Sequence, residues 1–140
     1  MSAFEEKKKR ISYDTRNRRT EKQLLENASN ELVDLYTRLD NGIRAISHEI
    51  KKHTSIREII YSTTLNIVYL IVQTRKNRLK LYIRTTDDYL IDNKKITSHT
   101  IGHHGNITRL LIISPLEEKI GKFSIDDVIF LIDQSYKSTL

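Results

Sequence analysis

The stretch from Leu65 to Arg84, LNIVYLIVQTRKNRLKLYIR, constrains this chain more than any other. Its first arm, Ile67 to Val72, is an unbroken apolar run, the pattern of a strand buried on both faces. Thr74, Arg75, Lys76 and Asn77 then read as a polar turn. The second arm alternates. Leu79, Leu81 and Ile83 point one way, and Arg78, Lys80, Tyr82 and Arg84 the other. A slip of one residue would bury Lys80, so the pairing register of this β-hairpin is specified by the pattern itself.

A helix pattern precedes it. Thr20 is the expected N-cap, with Glu21 in the first turn. Leu24, Ala28, Leu32, Leu35, Leu39, Ile43 and Ile46 recur at steps of four and three, which predicts one long amphipathic helix with Asn41 and Gly42 as weak points. Its stripe suits either the cover of a sheet or a coiled-coil homodimer. Ser47 to Ser55 reads as a polar link to a strand over Arg57 to Ser62. Thr85 to Thr100 reads as a long polar connection, and Ile107 to Ser114 as a further strand stopped by Pro115. A charged loop with Gly121 leads to a last helix, capped by Ser124, with an apolar face of Ile125, Val128, Ile129, Ile132 and Tyr136. The expected fold is therefore α+β, an antiparallel sheet of about four strands in the order helix-strand-strand-strand-loop-strand-helix. The N-terminal helix is the longer of the two, and residues 20–140 form a single domain.

Charge separates the first residues from the rest. The formal net charge is +6, and residues 1–23 hold eight Lys or Arg against four acids. Met1 to Arg19 is expected to be a basic flexible arm, with Lys7, Lys8, Lys9 and Arg10 as its densest run. Such an arm attracts nucleic acid or an acidic partner; the plainer reading is a solvated tail. The charged stretch from Glu5 to Arg10 has no apolar h-region, so a secretory signal is not expected there, and no apolar run reaches membrane length. Cysteine is absent, which excludes disulfides and thiolate chemistry and fits a cytoplasmic protein.

Two groups of residues carry candidate chemistry. Ile101-Gly102-His103-His104-Gly105-Asn106, with His99 just before it, is an accessible glycine-flanked turn whose imidazoles suit a metal-assisted nuclease or hydrolase. HEXXH is missing, however, and no carboxylate adjoins the pair, so a structural turn without metal or cofactor is expected. Asp87, Asp88 and Asp92 lack the spacing of a calcium loop. There is no P-loop, dinucleotide fingerprint or GxSxG. The second group is the alternating face Arg78, Lys80, Tyr82 and Arg84, with Arg75 and Lys76 in the turn. It suits phosphate contact and base stacking, or a solvated sheet face covered by long side chains.

At RKNRLKLYI (Arg75 to Ile83), IGHHGN (Ile101 to Asn106) and LIDQSY (Leu131 to Tyr136) the chain resembles a bacterial and archaeal family of uncharacterised domains. These close GmrSD-type restriction proteins and so-called predicted transport proteins. Lys80, Leu81, Tyr82, Gly102, His103, Gly105, Gln134 and Tyr136 match the family pattern. His104 stands where that family usually has tryptophan, and Leu116 to Phe123 resembles an insertion. The resemblance spans Leu32 to Tyr136. It implies a small accessory domain without established activity, a non-catalytic binding module for nucleic acid or for a nucleic-acid-processing protein.

Overall fold

The computed structural model describes residues 18–85, 90–103 and 107–140, with residues 101–103, 107 and 108 described by their backbone alone. Thr20 caps a four-residue helix, α1 (Glu21–Leu24), through a capping box with Gln23. The expected long helix is interrupted here. Asn27 takes a left-handed φ of 68°, and Ser29 then caps a second helix, α2 (Asn30–Ile46), through the Leu32 amide. Asn tolerates that conformation, and Ser at an N-cap satisfies an otherwise unpaired amide, so Asn27-Ala28-Ser29 turns the chain although the apolar spacing continues.

Gly42 does not end α2. A Cβ at this position would lie 2.7 Å from Cδ1 and 2.8 Å from Cγ1 of Ile129, so the glycine permits close approach of the last helix. That helix, α4 (Ile125–Ser138), starts at the expected Ser124 cap, closed by Asp127. Between the last strand and α4 lies a short helix, α3 (Pro115–Lys119), capped by Ser114. Pro115 stops the strand and also opens this helix, because a first-turn proline has no amide to leave unpaired.

Six antiparallel strands form one sheet: β1 (Lys51–Thr54), β2 (Ile59–Ser62), β3 (Asn66–Gln73), β4 (Arg78–Arg84), β5 (Thr97–His103) and β6 (Ile107–Ile113). Their spatial order is β1-β2-β3-β4-β6-β5. The sequence suggests about four. The two additional strands, β1 in the segment read as a polar link and β5 at the end of the segment read as a polar connection, are the two edges. An edge strand has one neighbour and little to bury, so KKHT and TSHTIGH carry no apolar signal.

The sheet is two-faced. On one side Ile59, Leu70, Leu81 and Leu111 stand in cross-strand register, with Tyr61, Val68 and Ile83 in the next row. They join Leu24, Leu32, Leu35, Leu39 and Ile43 of the first helices and Val128, Leu131 and Ile132 of α4 in the main core. The apolar stripe that could have paired with a second copy is thus buried within the chain. On the other side Ile60, Tyr69 and Tyr82 form a small cluster with Ile71 and Leu110 against it. No described helix is long and apolar enough to cross a membrane.

Candidate nucleic-acid interface

The β3–β4 hairpin is built as its pattern requires. Val68, Tyr69, Leu70, Ile71 and Val72 pair with Ile83, Tyr82, Leu81, Lys80 and Leu79. Thr74–Lys76 is a 3-10 turn, closed by Asn77 in the left-handed region at φ 51°. Arg75 and Lys76 are exposed at the tip. Arg78 donates from Nε to Gln73 Oε1 at 2.6 Å, which holds it along the strand. The Lys80 ammonium sits 5.2 Å from the Tyr82 ring centroid, within cation–π range. Tyr82 itself is only 8% exposed, beside its cross-strand partner Tyr69. Its ring is covered, so the cations and not the aromatic make the outer surface here. Arg84 follows a register shift after Ile83 and donates from Nε to the Asn66 carbonyl at 2.6 Å. The structure therefore groups Arg75, Lys76, Arg78 and Lys80 toward the hairpin tip and sets Arg84 at its far end.

The distribution of charge is uneven. The six strands contain Lys51, Lys52, Arg78, Lys80, Arg84 and Arg109 and no Asp or Glu. The helices hold acids, and several of these are paired: Arg38 grips Glu118 through two hydrogen bonds of 2.6 Å and also Asp34, and Lys137 pairs with Asp133. Asp127 takes Lys94, and that contact holds its carboxyl below the usual carboxylate range. None of the hairpin cations has an ion-pair partner among the described residues. Lys51 and His53, exposed on β1, share the outer face by register, since His53 stands opposite Ile60. They were hidden in the segment that reads as a polar link. The adjacent lysines of KKHT were the only hint of a basic edge strand.

Of the cations on β1, Lys52 is neutralised. Lys52 points to the helix side, where its ammonium lies 2.5 Å from Glu21 and 3.0 Å from Asp40. Tyr61 donates to the same Asp40 oxygen at 2.8 Å, and Tyr36 donates to Glu21. Burial, reinforced by Glu21, drives the Tyr36 hydroxyl pKa far up, and burial with Tyr36 and Asp40 does the same to Tyr61. Burial alone would raise Glu21, but hydrogen bonds from Lys52 and Tyr36 overcome it and hold the carboxyl low. This network locks α1 and α2 onto β1 and β2.

Of the histidine segment, the part within β5 lies at the opposite edge. His103 pairs with Ile107 across the β5–β6 hairpin, and Gly102 lies within β5. His104 and Gly105 lie outside the described residues, as do Lys7, Lys8, Lys9 and Arg10, and Asp87 and Asp88. His99 is exposed opposite Arg109. By register both share the face of Ile83, opposite to Lys80, so the sheet separates His99 from the basic hairpin. Asp92 accepts from the Ile96 and Thr97 amides and from the Thr97 hydroxyl. Burial would raise it, but the Thr97 contacts, with Ile96 and Arg109, hold it low. Among the described residues no three His, Cys, Asp or Glu converge to hold a metal.

Gln134 has a role that its sequence position did not suggest. Its side-chain amide both accepts from the Ile91 amide at 2.8 Å and donates to the Ile91 carbonyl at 2.9 Å, pinning the segment before β5 to α4. Compared with known proteins, the chain matches no family model, no curated protein and no solved structure.

Proposed function

We propose that this chain is a non-catalytic binding module whose basic hairpin and outer sheet face take nucleic acid. The observation that carries the reading is the segregation of charge. A hairpin without a single acid presents Arg75 and Lys76 in its turn and Arg78 and Lys80 on its second strand with no ion-pair partner among the described residues, while Glu118, Asp127 and Asp133 of the helices are paired. Uncompensated cations on a sheet attract the phosphate backbone, and releasing its counterions drives binding. The coverage of Tyr82 by Lys80 favours phosphate contact over base stacking, so little sequence preference is expected. The resemblance to domains that close restriction proteins agrees with such a partner.

The test is fluorescence anisotropy with labelled single- and double-stranded oligonucleotides over a salt series. Affinity should fall steeply with salt. Arg78→Ala and Lys80→Ala should each shallow the slope by about one counterion, the value of one lost phosphate contact. Absence of binding at low salt, or a slope unchanged by both substitutions, would refute the reading.

A further inference from the structure

A recess beside the hairpin tip adds a second kind of recognition. Between α1, the start of β2 and the end of β3 lies a cavity of about 430 Å³. Leu24 and Val72 are among its apolar lining, and Arg19, Arg57, Thr74 and Glu26 are on its polar side. Both arginines are exposed, and neither guanidinium makes an ion pair or a hydrogen bond with a described residue.

Their backbones are nonetheless fixed to one turn. The Arg19 amide donates to the Ser55 carbonyl at 3.2 Å, and the Arg19 carbonyl accepts the Thr54 hydroxyl at 2.5 Å. Arg57 belongs to the same β1–β2 turn, which is closed by Ser55 N–H to Glu58 O at 2.9 Å and Glu58 N–H to Ser55 Oγ at 3.1 Å. Arg57 on this braced turn and Arg19 bonded to it thus line one recess together. A guanidinium presents parallel N–H donors that match the oxygens of a phosphate.

We infer that this recess binds a phosphate monoester. A monoester carries between one and two negative charges at neutral pH and three unesterified oxygens. It can satisfy two arginine forks and the Thr74 hydroxyl together. An in-chain diester has one charge, two free oxygens and a chain leaving on both sides, and it suits the open hairpin face better. Glu26 opposes an anion in the recess and therefore tunes its affinity. The monoester can be the terminal phosphate of a nucleic-acid strand or a small phosphorylated molecule. Only the first source rests on the function proposed above.

The experiment uses the full chain and two probes. The first is a 3′-labelled single-stranded oligonucleotide with either a 5′-phosphate or a 5′-hydroxyl, followed by anisotropy. The 5′-phosphate should bind about ten-fold tighter, the scale of one charge-assisted contact. Arg57→Gln and Arg19→Gln should each erase that preference while leaving 5′-hydroxyl affinity within about two-fold, and Glu26→Gln should widen it. The second probe is inorganic phosphate at constant ionic strength, followed by amide NMR shifts at Ser55, Arg57 and Thr74. Phosphate-dependent shifts, lost in Arg57→Gln, without a 5′-phosphate preference would assign the recess to a small phosphorylated molecule. Failure of both oligonucleotides with the NMR response intact would refute the nucleic-acid reading and keep the recess. Neither a preference nor a phosphate response would overturn the inference.

Discussion

Lys51 and Lys52 are adjacent in sequence and opposite in consequence. Lys51 is exposed on the outer face of β1. The Lys52 side chain is 18% exposed and neutralises Asp40, at 9%, and Glu21, at 40%. Lys52→Met keeps the apolar stem and removes the charge. Asp40 would then retain the Tyr61 hydroxyl and only a distant Arg44, at 3.8 Å. Breaking a buried ion pair from one side costs about 3–5 kcal/mol. Glu21 regains water here, so the expected loss is smaller, about 2–3 kcal/mol. At this chain length that lowers Tm by roughly 6–12 °C. Lys51→Met should cost under about 0.5 kcal/mol, as at other unconstrained surface sites. Circular dichroism melts with urea titrations would read both, and a cycle with Asp40→Asn should give a coupling of about 1–2 kcal/mol. Equal effects at the two lysines would refute the assignment of Lys52 as the pin of the first helices.

Two separate carboxylates set a pH limb. Glu21 and Asp92 are both held below their ordinary pKa, so their stabilisation is complete above the unfolded carboxyl range and is lost as pH falls through the lower folded values. Tm should therefore be flat near neutrality and decline below about pH 4, with a shallower decline in Asp92→Asn. Leu81→Ala, at a fully buried position between β3 and β6, should cost about 2–5 kcal/mol in urea titration. Leu70→Asp should abolish the folded state by the same measurement, whereas Ile71→Asp, partly exposed beside Lys80 on the outer face, should leave a folded protein. Gly42→Val should cost about 1–3 kcal/mol, because Ile129 must move to admit the side chain.

The hairpin, its register and the helix caps at Thr20 and Ser124 were legible because they are local. Alternation at period two and a hydroxyl three residues before an amide need no knowledge of the rest of the chain. The basic face was legible for the same reason, since Arg78, Lys80 and Tyr82 alternate with residues that must be buried. The edge strands β1 and β5 were not legible. They are held by backbone pairing to one neighbour, and polar residues suffice for that. Nor was the break at Asn27 visible behind an uninterrupted apolar spacing. Three features arise only when distant segments meet: Lys52 between Glu21 and Asp40, Gln134 on Ile91, and Arg19 with Arg57 over one recess. Each depends on contacts that span tens of residues, so the identity of either partner alone carries no sign of the other. The spacing of residue types sets which faces are apolar and which are basic; packing sets which charges are neutralised and which stay exposed, because neutralisation depends on distance in space.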